Sequence, residues 1–125
     1  MIEELSKIRI KFDIEDFGSA DGELIRFSAP RTVENILNAL PLEGIVSKSN
    51  ANIYFPTRLK LGKEKAKSEI EKGGITYWPL GSAICVFYGS AKPYSPMNPI
   101  GHITKNLEVF EDIKVGKRIK MVMKG

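Results

Sequence analysis

The sequence predicts a mainly β fold, and three observations predict it. The first is Gly73–Gly89, GGITYWPLGSAICVFYG, in which two apolar runs, Ile75–Pro79 and Ala83–Tyr88, flank a Pro-Leu-Gly-Ser turn. Ile, Tyr, Trp, Val and Phe suit a pleated, half-buried surface, so the runs read as a hairpin crossing the middle of a sheet. The second is strict alternation over Lys7–Ile14: Ile8, Ile10, Phe12 and Ile14 fall on one face, Lys7, Arg9, Lys11 and Asp13 on the other. The third is the recurrence of short strands with turn signals between them, the pattern of a sandwich or barrel.

Taken in order, Glu15–Gly22 reads as a hairpin loop, with its glycines, Ser19 and two aspartates, and Glu23–Ser28 as the returning strand with Ile25 and Phe27 inward. Pro30–Leu40 is a helix, because Val33, Ile36, Leu37 and Leu40 make one apolar stripe. Pro30 suits its first turn, Thr32 with Asn35 offers an alternative cap, and Pro41 stops it. A helix of about 10 residues is unstable alone in water, so it must lie over the sheet, capping an open barrel end. Ile45–Lys48 and Asn52–Phe55 read as short strands around a Ser49–Asn50–Ala51 turn. Lys63–Lys72 reads as a short helix or a strand with a loop. In the hairpin turn Pro79 pre-sets its torsion and Gly81 is expected at positive φ. Ser90–Pro99, with its three prolines and Tyr94, is a loop too apolar for a mere connector. Ile100–Thr104 is a strand, Leu107–Ile113 a turn or two of helix, and Lys117–Met123 a closing strand with Ile119, Met121 and Met123 on one face.

A chain of 125 residues is expected to form one domain with its own core. No apolar run approaches the roughly 20 residues of a membrane helix, and MIEELSKIRI is unlike a secretion signal, so the expected location is cytoplasmic. The single cysteine, Cys85, excludes an internal disulfide and a multi-cysteine metal site, and the single histidine, His102, leaves no His pair for zinc. No metal or cofactor is expected. Nineteen basic residues against 15 acidic leave a net charge of +4, which by itself supports no nucleic-acid function, and the basic tracts Arg58–Lys67 and Lys114–Lys124 lack interleaved aromatics. Abundant Lys, Glu and Ile with no glutamine fits a thermophile.

Among the residues with chemistry, Cys85 alternates with hydrophobes and reads as a small buried one. Trp78 reads equally as a stacking platform at a pocket mouth or as a core residue with its N–H on a backbone carbonyl. Tyr54, Tyr77 and Tyr94 read as packing residues with surface hydroxyls, and His102 as an exposed strand residue. Glu69, Glu71, Glu108 and Asp112 form no pair suited to acid–base work.

Gly22–Leu40, GELIRFSAPRTVENILNAL, resembles the cyclophilins, whose first helix is entered through Pro-Lys-Thr-Val-Glu-Asn; Pro30, Thr32, Val33, Glu34 and Asn35 match. Pro99–Ile113 is similar to a second cyclophilin segment, with Gly101 and the short helix aligned. The hairpin resembles the Tyr-Trp-Pro-Pro-Gly-x-Ala-Leu-Cys-Leu-Phe-Phe-Gly signature of small archaeal and bacterial cyclophilin-like proteins of unknown function. Tyr77, Trp78, Pro79, Gly81, Ala83, Cys85, Phe87 and Gly89 match, as do Ile53, Tyr54 and Phe55 upstream. The resemblance implies a closed eight-stranded antiparallel barrel capped by two short helices. Its chemistry, prolyl isomerisation, lowers a barrier of roughly 18–20 kcal/mol by seating a proline ring in an apolar pocket beside a donor. Carried over by position, the pocket phenylalanine is Phe87, the histidine falls on Met97 and the tryptophan near Lys92. The assisting glutamine is absent, and the arginine candidate is Arg58.

The expected function is therefore a binding module for a peptide or small apolar ligand, with little or no isomerase activity. Its ligand set comprises Tyr54, Trp78, Phe87 and Met97, with Tyr77 and Asn98, and Ser90–Pro99 forms the rim. The alternatives are a weak prolyl isomerase using Phe87 and Arg58, and an accessory subunit of an amide-hydrolysing enzyme with a protein partner.

Overall fold

Alternation over Lys7–Ile14 is carried into a strand, β1, which pairs along its whole length with β2 (Gly18–Ile25), from Lys7 opposite Ile25 to Ile14 opposite Gly18. This is a computed structural model, and it describes residues 6–124; the reading of the opening residues as no secretion signal falls on residues 1–5, outside the described part. The remaining elements are α1 (Pro30–Ala39), β3 (Leu42–Ile45), β4 (Ser47–Ser49), β5 (Asn52–Pro56), β6 (Gly74–Trp78), β7 (Ala83–Phe87), β8 (Asn98–Lys105), α2 (Glu108–Asp112) and β9 (Arg118–Met123). The strands form one antiparallel sheet in the order β3-β9-β1-β2-β8-β6-β7-β5-β4.

The expected antiparallel barrel with two short helices is present, built among the described residues from nine strands rather than eight. The extra strand arises because Ile45–Lys48 does not run as one piece. Val46 is fully buried and divides it: Leu42–Ile45 pairs with β9, while Ser47–Ser49 pairs with β5. The two ends of the sheet are thus consecutive in the chain, and the barrel nearly closes through Val46. Gly44 permits the seam, since a Cβ there would press to 3.0 Å on Phe55.

Inside the barrel, Ile10, Phe12 and Ile14 of β1 meet Leu24, Ile53, Phe55, Ile75, Tyr77, Ile84, Val86, Ile119 and Met121. Val33 and Ile36 of α1 and Phe110 of α2 join the same core. The Phe12 ring packs edge-to-face on Phe110 and Phe55, with centroids 5.5 and 6.5 Å apart, a geometry favoured by the ring quadrupoles.

Several local expectations are corrected. The β1–β2 turn is only Glu15–Phe17, because the ladder continues through Gly18–Gly22 despite their low strand propensity. Ala20 and Leu24 point inward instead of Ile25 and Phe27, and Phe27 lies 60% exposed in a single 3₁₀ turn, Arg26–Ser28. Met123, at the end of β9, is exposed. Lys63–Lys72 is neither helix nor regular strand. It is an extended segment that touches the Ser90–Pro99 loop through paired backbone bonds, Lys67 with Met97 and Ile70 with Ala91. In the hairpin turn the positive φ falls on Ser82, not Gly81. Gly81 is required for a different reason: any Cβ would occupy the space of the Trp78 indole.

The N-terminus of α1 is capped from far away. Ala29 offers no side-chain cap, and Asn35 bonds back to the Arg31 carbonyl. The Glu64 carboxylate instead accepts from the Arg31 and Thr32 N–H groups at 3.0 and 2.8 Å and from the Thr32 hydroxyl at 2.8 Å. Two of the orphan backbone N–H groups of the helix start are thus satisfied, and the negative charge also suits the macrodipole. The fully buried Asn98 holds the arrangement: its Oδ1 accepts from the Glu64 N–H, and its Nδ2 donates to Thr32 Oγ1 and to the Gly62 carbonyl. At the other end of α1, Arg58 donates to the Ala39 carbonyl.

Partial burial works to raise the Glu64 pKa, but the bonds from Arg31 and Thr32 outweigh it and hold the carboxyl below its ordinary 4.5. Because the folded value is the lower one, its stabilisation is complete above the ordinary value and is lost as pH falls through the folded value. Glu64→Gln should therefore flatten the acid limb of stability below about pH 4.5 in urea titrations, and Glu64→Ala should cost about 1 kcal/mol at pH 7.

Candidate functional site

The pleat gives β5, β6 and β7 two faces, and the barrel uses only one of them. Ile53, Phe55, Ile75, Tyr77, Ile84 and Val86 point inward. Asn52, Tyr54, Thr76, Trp78, Ala83, Cys85 and Phe87 therefore point outward. Register places Asn52 opposite Phe87, Tyr54 opposite Cys85, Cys85 opposite Thr76 and Trp78 opposite Ala83, so these side chains form one patch. Every residue of β7 is nevertheless buried. Its outer face is covered by a second, smaller core in which Cys85 and Phe87 meet Ile70 and Met97, with Tyr54, Trp78 and Ala91 packed against them.

Beside this outer core lies a cavity of about 350 Å³, lined by Ser49, Asn50, Asn52, Tyr54, Trp78, Lys92, Pro93, Tyr94 and Met97. Tyr54 and Trp78 meet edge-to-face, with centroids 5.8 Å apart. The indole is fixed by its N–H, which donates to the Ser95 hydroxyl at 2.8 Å, and by Gly81 against its ring. Met97 is buried, and its sulfur accepts from the Thr76 hydroxyl at 3.1 Å. At the rim Tyr94 is 94% exposed, and Lys92 makes an exposed ion pair with Glu69 at 3.4 Å.

Of the residues singled out from the sequence, Tyr54, Trp78 and Met97 come together on the cavity, with Ser90–Pro99 supplying its rim. Phe87 does not line it; fully buried, it packs in the outer core with Met97. Tyr77 lies on the opposite face, inside the barrel, and its hydroxyl is not at the surface. It donates to the Leu59 carbonyl at 2.8 Å and accepts from the Leu61 N–H at 3.1 Å. Asn98 is spent on the Glu64 network, and Arg58 on the end of α1. Of its two readings, Trp78 lines a pocket, and its N–H meets a side-chain hydroxyl rather than a backbone carbonyl. Tyr94 is not a packing residue. Asn52 was missed, although the inward placement of Ile53 and Phe55 puts it on the outer face with Tyr54.

Cys85 is buried, and burial pushes its thiol up to about 12, opposed by the Thr76 hydroxyl. His102 lies on β8, which β6 separates from β7, and its Nε2 meets Glu23 at 3.2 Å instead of the thiol. Among the described residues, no three His, Cys, Asp or Glu side chains gather into a metal-binding group. No helix of the described residues is long and apolar enough to cross a membrane.

The profile of the family described as Cyclophilin-like matches residues 6–122. The chain belongs to the cyclophilin-like family. Its barrel is similar to the solution structure of the hypothetical protein AF2241 from Archaeoglobus fulgidus, at 28% identity and a TM-score of 0.81, covering 95% of this chain and 96% of that one. A second likeness, in fold alone, is to McbB, solved in complex with tryptophan, at 16% identity and a TM-score of 0.78. It covers 93% of this chain but only 45% of the McbB chain. None of the curated proteins compared with the chain matches it.

A thiol with its pKa near 12 is almost wholly protonated at pH 8 and shielded besides. Alkylation of folded protein by iodoacetamide at that pH should run at least about 10³-fold slower than alkylation of urea-unfolded protein. Comparable rates would place Cys85 at an open, reactive position.

Proposed function

We propose that this cyclophilin-like chain is a binding module whose outer-face cavity takes a small apolar ligand or an apolar peptide side chain, with little or no isomerase activity. The observation that carries the reading is the juxtaposition of Tyr54, Trp78 and Met97 around a cavity of about 350 Å³. Concave, largely apolar sites of about this size with few polar groups are the usual form of small-ligand pockets. An indole clamped by a hydrogen bond and a glycine loses little freedom when a ring packs on it, which favours affinity.

The placement of Phe87 and Arg58 favours binding over isomerisation. Phe87 is buried without lining the cavity, and the Arg58 guanidinium is engaged by the end of α1. A donor held away from the apolar pocket cannot follow a twisting amide seated there.

The test is a titration of ¹⁵N-labelled protein with proline peptides and small apolar rings, read together with exchange spectroscopy on the peptides. Shifts should centre on the Trp78 indole N–H, without faster cis/trans exchange, and Trp78→Ala should weaken binding by about tenfold or more. Accelerated exchange would establish the isomerase instead. No shift with any probe would remove the binding reading.

A further inference from the structure

Two buried asparagines, one on each face of the sheet, differ in a way that bears on the ligand. Asn98 has its amide oxygen and nitrogen fully engaged. Asn52 is 4% exposed and lines the cavity, yet its Oδ1 is buried without a hydrogen-bond partner, the one such side-chain atom among the described residues. Its Nδ2 donates to the Asn50 carbonyl over a long 3.3 Å. A buried amide oxygen left unpaired costs stability, and replacing it with an apolar group of similar shape ordinarily costs nothing. A leucine at this position would pack against Tyr54 and Phe87 without that penalty.

The position of the oxygen supplies a use for it. Ile53 and Phe55 point into the barrel, so Asn52 and Tyr54 project on the outer side, where the cavity lies. The terminal torsion of an asparagine is soft, and here one 3.3 Å bond restrains it. Rotation about that torsion would bring Oδ1, itself shut off from solvent, to the cavity that Asn52 lines.

We infer that Asn52 Oδ1 is the hydrogen-bond acceptor for the ligand, so that the cavity selects an apolar ring bearing an N–H or O–H donor over the same ring without one. This rests on the proposed binding role and narrows its substrate class. Tyr54, Trp78 and Met97 give affinity without choice among rings, whereas an unpaired buried acceptor penalises a ligand that cannot satisfy it. The same chemistry is offered by a free small molecule and by a ring-bearing side chain of a peptide.

Matched probes separate the possibilities. Para-cresol and para-xylene differ only in a hydroxyl replaced by a methyl of similar size, and binding of each is read by the shifts of the Trp78 indole and Asn52 side-chain amide resonances. Wild-type protein should prefer para-cresol by about fivefold or more, a preference abolished in Asn52→Leu and kept in Asn52→Asp, which retains an acceptor. Asn52→Leu should unfold at an unchanged or higher temperature. Tighter binding of N-acetyl-tyrosine amide than of para-cresol assigns the donor to a peptide; equal binding assigns it to a free molecule. In both cases the donor rule stands. Equal binding of the two ring probes, or a marked destabilisation by Asn52→Leu, overturns the inference while leaving an apolar pocket. Absence of binding by either ring overturns the binding role itself.

Discussion

A strand buried on both faces has to be supplied with two cores, and β7 is such a strand. Ile84 and Val86 fill the barrel, whereas Cys85 and Phe87 are turned away from it and would lie in water if nothing covered them. The cover comes from two segments without regular structure, 63–72 and 90–97, which bind each other by the Lys67–Met97 and Ile70–Ala91 bridges. Bringing irregular chain over a sheet face normally strands backbone polar groups, and these reciprocal bonds relieve that cost. Where the cover ends, Tyr54, Trp78 and Met97 are left around an opening. The cavity is the unfinished margin of the second core.

The same segments are anchored at their near end by the Glu64 carboxylate on α1 and by Asn98. One buried side-chain amide thereby ties a loop, the start of a helix and the beginning of β8 to one another. This couples the barrel end covered by α1 to the chain that covers β7. Buried polar networks of this kind are stable only when every member is satisfied, as Asn98 is. Asn52, on the outer face beside the cavity, departs from that rule, and departures from polar satisfaction concentrate where a protein meets a ligand.

Legibility in the sequence followed the range of the interactions. The alternation of Lys7–Ile14, the stripe of α1 and the β6–β7 hairpin depend on neighbours a few residues away, and all are found where the pattern puts them. Ser47–Ser49 and Leu42–Ile45 could not be told from one strand, because their separation is made by different partners, β5 and β9, distant in the chain. The cap of α1 was sought in Thr32 and Asn35, within reach of local rules, while the group that caps it, Glu64, lies 32 residues from Thr32. Within the site, Tyr54, Trp78 and Met97 were legible through resemblance and composition. Asn52 carried no such signal: an asparagine after a turn is ordinary until its oxygen is seen to lack a partner.

By itself the sequence determined a mainly β chain, its helices, the buried character of Cys85 and the family resemblance, because periodicity and turn chemistry act over a few residues at a time. It also determined that an aromatic hairpin would be structurally dominant. Only the tertiary structure decided which side of that hairpin faces the barrel. A pleated strand offers two equivalent faces, and Tyr77 and Trp78, adjacent in sequence, were sent to opposite ones. That choice made Tyr77 a core residue, Phe87 a buried support and Trp78 a cavity wall. It was set by which long-range partners could fill each face, a quantity that no local pattern carries.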